Sequence, residues 1–319
     1  MIGFRKEVIK MAWGKTTYQA ANEMRESLLD IIRDISPNED NYFVSNLDKG
    51  APALQTYHEW NIFHEDRVTS VTANTEGADT SYPDLQAESR AGNYTVIVDS
   101  PVRLSRTKAS IAMVTKQDAL AVEKERALRR LKNKMEYLLI NGSLAAGATD
   151  TARGMAGIDA FITSNVTAYA SGQSFTEAIL NDMAKTSWDA VGSSYVASTL
   201  VAPAVIKQRV ATFGTNLTRN VRAEDKRLIN EVRVFDTDLG VTVKILAHKD
   251  VRKAAGTVTA LLVNEDLHEM SFLVNTGEPH WEDRAKAGDY VAGVYITEFT
   301  HVAYNEKADV KRTGFSASL

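Results

Sequence analysis

Two histidine–glutamate pairs, His58-Glu59 and His64-Glu65, are the residues of this chain that come nearest to a metal site. A helix that grips zinc through two imidazoles needs them four apart, so that both leave one face. Here they are six apart. On a strand, positions 58 and 64 share a face but stand roughly 20 Å apart, beyond the reach of one ion. His248, His268, His280 and His301 are scattered without ligand spacing, so solvated or interface imidazoles are the expectation. Gly14-Lys15-Thr16 has the end of a phosphate loop, but Ile9 stands where that loop needs its first glycine. Without the glycine-rich wrap, no nest of N–H groups faces a phosphate, and the segment reads as a loop before a helix. Asp236, Asp238 and Gly240 form a fragment of a calcium loop that lacks the other oxygen ligands and the closing glutamate. A hairpin turn accounts for them better. No G-x-S-x-G elbow is present. The 41 acidic residues allow many carboxylate pairs on paper, and none is specific. No catalytic, cofactor-binding or metal-ligating residue is therefore expected, and no cofactor.

Such residues would need elements to position them, and composition bounds those elements. The chain has 319 residues, 44% of them hydrophobic and 24% charged, as in an ordinary soluble protein of one or two domains. Its net charge of −4 gives no bulk pull toward nucleic acid or membrane. Cysteine is absent, which excludes disulfides, thiolate zinc sites and a cysteine nucleophile. No stretch approaches the ~18 apolar residues of a membrane span. The spacing of Leu28, Ile31, Ile32 and Ile35 predicts a helix over 16–35, stopped at Ser36-Pro37-Asn38. Residues 41–52 read as a connecting loop. The strongest periodicity lies at 115–141, where Ala121, Leu128, Leu131, Met135, Leu138 and Leu139 mark one stripe. Asp118 favours its N-terminus, Asn141-Gly142 stops it, and Glu125 and Arg129 are spaced for an ion pair. A helix of that length, about 40 Å, is a beam rather than a core filler. Arg126, Arg129, Arg130, Lys132 and Lys134 give it basic character that Glu123, Glu125 and Glu136 dilute, so a solvated or inter-subunit face is expected.

Further strands are predicted at 94–98 and 102–106, at 199–202, as a hairpin over 231–247, and at 257–263 and 290–304. Ser174 with Glu177 has the spacing of a capping box opening a helix to Val191, and Pro203 starts another helix. The whole reads as α+β, with segregated helices and antiparallel strands. Between the first helix and the long one, residues 58–108 run as a charged ribbon whose middle, 72–93, keeps neither period. A compact domain seldom carries so long an excursion unless it is functional or disordered. This one is bracketed by strand-like runs and lacks linker monotony. It therefore reads as an ordered arm whose packing partner is another molecule.

The order of motifs carries a resemblance. A helix ending in Ser36-Pro37-Asn38-Glu39-Asp40 precedes Glu59-Trp60, then Asn74-Thr75-Glu76-Gly77-Ala78-Asp79 and Arg90-Ala91-Gly92-Asn93-Tyr94-Thr95. Lys134 to Leu139 and Asn141-Gly142 follow on the long helix, and Val302 to Ala308 near the end. Over roughly 16–310 this resembles a subgroup of tailed-bacteriophage major capsid proteins with the Hong Kong 97-type fold. Asp66 follows Glu59-Trp60 later than that pattern leads one to expect, as if a small insertion lay between. The resemblance implies an N-terminal arm over 1–50 and an extended loop over 51–110 that lies on a neighbouring subunit. It implies a peripheral domain from 111–169 and 256–319, with its spine helix at 115–141, and an axial domain over 170–255. It also implies self-assembly of pentamers and hexamers into an icosahedral head that encloses double-stranded DNA without sequence-specific binding. Inter-subunit contacts are expected from Trp60, Phe63, Asp66, Arg67, Tyr82, Glu88 and Arg90. A portal, decoration proteins and, from the short stretch before the first helix, a separate scaffolding protein are the expected partners. Host cytoplasm during assembly and the finished virion are the expected locations. The rival readings are an encapsulin-like compartment shell, a tail or portal component, and a cytosolic metal-dependent enzyme using His58 and His64.

Overall fold

The computed structural model describes residues 41–63, 68, 70–79, 87–110, 119–213, 233–251, 253–254, 256–285 and 287–318. The helix expected at 16–35 lies outside them, as do Asp118 and the first four residues expected for the long helix. The described chain opens with α1 (Tyr42–Asn46) and β1 (Asp48–Lys49), then the pair β2 (Tyr57–Ile62) and β3 (Ser89–Tyr94), then β4 (Val96–Ser105). Helices α2 (Arg106–Ser110), α3 (Ala119–Asn141) and α4 (Ile158–Phe161) follow, with β5 (Val166–Gln173), α5 (Glu177–Val191), β6 (Thr199–Ala202) and α6 (Ala204–Val210). The remainder is mostly strand: β7 (Val234–Asp236), β8 (Thr242–Ala247), β9 (Lys253–Ala254), β10 (Thr257–Val263), β11 (His268–Phe272), β12 (His280–Asp283), β13 (Tyr290–Ala303) and β14 (Val310–Ser316).

These strands form three sheets among the described residues. A five-stranded sheet runs β1-β11-β13-β12, with β4 also on β13; a seven-stranded sheet runs β5-β14-β10-β6-β8-β7, with β9 on β10; β2 and β3 pair alone. Strand β4 alternates buried and exposed over its whole length, with Val96, Val98, Val102 and Leu104 inward. Two separate strands were expected here, and the structure joins them. Pro101, opposite Val294, is one of ten residues in register with β13, and it is accommodated because β4 is paired on one side only, where an edge strand tolerates proline.

The long helix packs on that sheet. Its buried stripe is Ala127, Leu128, Leu131, Met135, Leu139 and Ile140, while Ala121, near its start, is exposed. Each fully buried Leu or Met contributes about 1.5–3 kcal/mol through area removed from water. The stripe also carries Lys132 and Glu136 inward, which a reading by charge places outside. The helix stops at Asn141 because Gly142 and Gly157 cross its end. A Cβ on Gly142 would stand 2.3 Å from the Met155 carbonyl, and one on Gly157 2.6 Å from that of Leu138.

Behind the seven-stranded sheet, Phe175, Leu180, Met183, Leu200, Ile206, Val243, Leu262 and Phe315 form one apolar cluster. Helix α5 starts where expected, but Thr176 is its cap residue and no side chain completes a capping box. The neighbouring Phe175 is drawn into the core instead. Pro203 is the cap of α6 rather than its first residue. The 231–247 hairpin forms, with Thr237 N–H donating to the Val241 carbonyl at 3.0 Å and Gly240 at φ 75° in the turn. The seven-stranded sheet draws β10 and β14 from beyond the expected boundary at 255. Two of its pairings, β5–β14 and β6–β8, are parallel beside antiparallel ones, and in the five-stranded sheet so is β1–β11.

Candidate inter-subunit surface

The ribbon is a two-stranded arm. Strands β2 and β3 pair antiparallel from Tyr57 opposite Tyr94 to Ile62 opposite Ser89. The expected loop, 51–110, is longer than this arm, because Val96–Ser105 belongs to the five-stranded sheet. A lone two-stranded ribbon is marginal in water, so its root needs fixing. Asn93, fully buried, supplies the fix. Its amide nitrogen donates to the carbonyls of His301 at 2.8 Å and Ala156 at 3.0 Å, and its oxygen accepts from Ala156 N–H at 2.9 Å. Next to it Gly92 is required: a Cβ there would stand 2.7 Å from the Tyr57 ring, which packs 4.6 Å from that of Tyr94.

Trp60 faces the protein's own body. Its indole N–H donates to the Ala303 carbonyl at 3.1 Å, and its ring lies 6.2 Å from that of Phe161. Phe63, past the end of β2, is 58% exposed, and Glu88, just before β3, and Arg90 on it are exposed too. Asp66, Arg67, Tyr82 and His64 lie outside the described residues. The distal part adds apolar groups that a search for aromatics passes over: Val68 is 72% exposed, Val71 86% and, before the arm, Leu54 74%. At the tip, Ala78 N–H donates to the Thr75 carbonyl at 3.0 Å, with Gly77 at φ 82° in the third position of the turn. Left-handed φ there is what makes glycine the fitting residue. Val68 and Val71 stand in water within a stretch that also carries Glu65, Asp66, Arg67, Glu76 and Asp79 in its sequence.

The body around the root is held by buried polar groups from distant parts of the chain. Glu136 accepts from Phe43 N–H at 2.9 Å, Val44 N–H at 2.8 Å and His248 Nε2 at 3.0 Å. One helix carboxylate thereby fixes α1, in a stretch expected to be loop, and the end of β8. Tyr42 of α1 donates to Glu265 at 2.7 Å and accepts from Lys244 at 2.5 Å, and burial followed by the Glu265 carboxylate raises its pKa. His268 and His301 come together on neighbouring strands with rings 5.1 Å apart. His268 Nε2 lies 2.8 Å from Asp309 Oδ2, and His268 Nδ1 lies 2.9 Å from His301 Nε2. Burial first, and the neighbouring imidazole second, hold the His301 pKa well below the usual histidine range. These are core residues, not the solvated or interface imidazoles expected. His58 on β2 is half-buried, and desolvation lowers its pKa. Among the described residues no three His, Cys, Asp or Glu side chains are grouped to hold a metal ion.

Comparison with known proteins gives this architecture a family. The family model described as SU10 major capsid protein matches residues 11–316. No curated protein matches the chain in sequence. Among solved structures, the capsid of a native GTA particle aligns at TM-score 0.59 and 11% identity, covering 87% of this chain and 91% of that one. The holo-SrpI encapsulin complex from Synechococcus elongatus PCC 7942 aligns at 0.57 and 12%, covering 90% of each chain. The capsid of Myoviridae phage XM1 aligns at 0.53 and 12%, covering 86% and 92%. At such identities these likenesses establish the Hong Kong 97-type fold, and the family match adds what the fold is used for. The chain belongs to the SU10 major capsid protein family, and is a tailed-phage major capsid protein that assembles into a shell.

Proposed function

We propose that this subunit closes its icosahedral head through the β2–β3 arm, which lies on a neighbouring copy, and that the head encloses double-stranded DNA. The observation that carries the reading is the arm itself: it is rooted by Asn93 and Trp60 in its own subunit, while Phe63, Val68 and Val71 are exposed among the described residues. A neighbouring copy supplies the missing surface, with Phe63, Asp66, Arg67, Tyr82, Glu88 and Arg90 as the contact residues and Trp60 as the pivot. The five-stranded sheet with α3 is the peripheral domain in this reading, and the seven-stranded sheet the core of the axial domain. The protein's role is structural, without catalysis.

Assembly takes place in the host cytoplasm, and a separate scaffolding protein, a portal and decoration proteins complete the head. The satellite phage P4 procapsid, which aligns at TM-score 0.50, includes a size determination protein and supports the scaffold part of this reading. The encapsulin likeness concerns the fold; the family match favours a phage head over a cellular compartment. Electron microscopy of the expressed protein, with and without a co-expressed scaffold, tests the reading. Closed shells of uniform size are expected with the scaffold. Rings, tubes or a protein that stays monomeric would reject it, and closed shells filled with a protein cargo would favour the compartment.

A further inference from the structure

The long helix turns a basic face to solvent that the arm and the core leave unused. Arg126, Arg130, Asn133 and Tyr137 follow one another at spacings of four, three and four, so they form one line along the helix, about 16 Å long. All four are exposed, Tyr137 by 54%, and Arg129 flanks the line, while the neighbouring Lys134 reaches over the sheet edge and donates to the Asp99 carbonyl of β4. The chain as a whole carries −4, so this concentration of cations is a segregation rather than a reflection of composition. Two of the arginines have carboxylate neighbours on the same helix, Arg126 with Glu123 at 2.6 Å and Arg129 with Glu125 at 2.5 Å. Exposed pairs of this kind are worth about 0–1 kcal/mol, too little to hold a guanidinium against a better acceptor. Arg130 has no carboxylate partner among the described residues.

What such a line fits follows from its chemistry. A protein interface needs a desolvated apolar centre, and here Tyr137 is the sole large apolar group. A nucleic-acid backbone needs none. It asks for guanidinium and ammonium groups near its phosphates, with amide and hydroxyl donors between them, and duplex DNA offers one charge per ~1.7 Å of axis. We infer that the Arg126–Tyr137 line faces the lumen of the shell and touches the phosphate backbone of the enclosed duplex, without reading its sequence. This rests on the reading that the shell encloses DNA. It also orients the subunit: β4 lies against the buried side of this helix, so the opposite face of its sheet, where Asp99, Pro101 and Arg103 are exposed, points outward.

The absence of cysteine from the chain makes the test direct, since Asn133→Cys introduces one thiol at the centre of the line. The variant is coupled to benzophenone maleimide, assembled and packaged, and the filled particles are irradiated and digested. The expected result is the labelled helix peptide carrying a nucleotide adduct, while Pro101→Cys, on the opposite sheet face, gives none. An adduct to a second copy of the chain or to another protein would overturn the assignment, as would equal DNA adducts from both positions. Should the label at 133 block assembly, Tyr137→Cys reports from the same line with the same two outcomes. Wild-type particles run alongside separate this inference from the reading beneath it: if they form no shell, or shells without DNA, the proposed function fails rather than the orientation.

Discussion

His301 shows how a buried side chain carries a property of the whole subunit. Read as neutral rings, the network runs one way: His268 donates from Nε2 to Asp309, and His301 donates from Nε2 to His268 Nδ1. Around His301 lie His268, Asp309 beyond it, the Phe161 ring at 5.3 Å and the Asn93 amide on its own carbonyl. Because its folded pKa is depressed, the unfolded chain binds a proton near pH 6.5 while the folded one does not. Stability is therefore complete above that pH and falls as pH drops below it, by up to about 1.4 kcal/mol per pH unit. In denaturant titrations of the dissociated subunit between pH 7.5 and 5.5, His301→Gln is expected to flatten this acid limb; an unchanged slope assigns it elsewhere. Glu136 makes a second test, because three buried or half-buried donors depend on its carboxylate. Glu136→Ala is expected to cost about 3–5 kcal/mol and Glu136→Gln clearly less, read from unfolding midpoints. Neither role was legible in the sequence. His268 and His301 are 33 positions apart, and Glu136 sits in a charged run whose other members are mostly solvated.

At the scale of elements, legibility followed the locality of the forces. The alternation of Val96–Ser105 and the apolar stripe of Ala119–Asn141 are written in neighbouring residues, and both elements were expected. The strands at Val166–Gln173 and Val310–Ser316 were not. The first is an almost wholly exposed edge strand, and a strand held through its backbone alone leaves no apolar period to find. The short helix Tyr42–Asn46 likewise depends on a carboxylate more than ninety residues away. For the arm, the sequence showed a ribbon without a core; the structure adds where it is rooted. That decides which deletion can test it. Removing residues 72–93 would take Asn93 and most of β3 with it and damage the body. Replacing 68–87 by two glycines spares both strands and their anchors. The expected outcome is a subunit whose thermal midpoint stays within about 2 °C of the parent, since the described residues removed are all exposed, but which forms no closed shells by electron microscopy. Normal shells from this variant would remove the arm from the assembly mechanism.

At the scale of the whole molecule, the shell multiplies what is small in one subunit. In the proposed reading each copy gives one arm and receives another, so every contact weakened in the sequence is weakened in all copies at once, and multivalent closure amplifies the change. Val71 is the clean place to see this, because it is 86% exposed in the subunit and its removal disturbs nothing there. If a neighbour buries it, the contact is worth about 1.5–3 kcal/mol per subunit. Every 1.4 kcal/mol corresponds to about tenfold in an association constant. Val71→Asp is therefore expected to raise the protein concentration at which shells first form by about tenfold or more, as followed by light scattering, while the unfolding curve of the dissociated subunit stays that of the parent. Val68→Asp is expected to act in the same direction, and Arg130→Glu on the helix face to leave the threshold where it was. That contrast separates a surface used for closing the shell from one turned toward its contents, and an unchanged threshold in both valine variants would mean that the arm's distal end meets no neighbour.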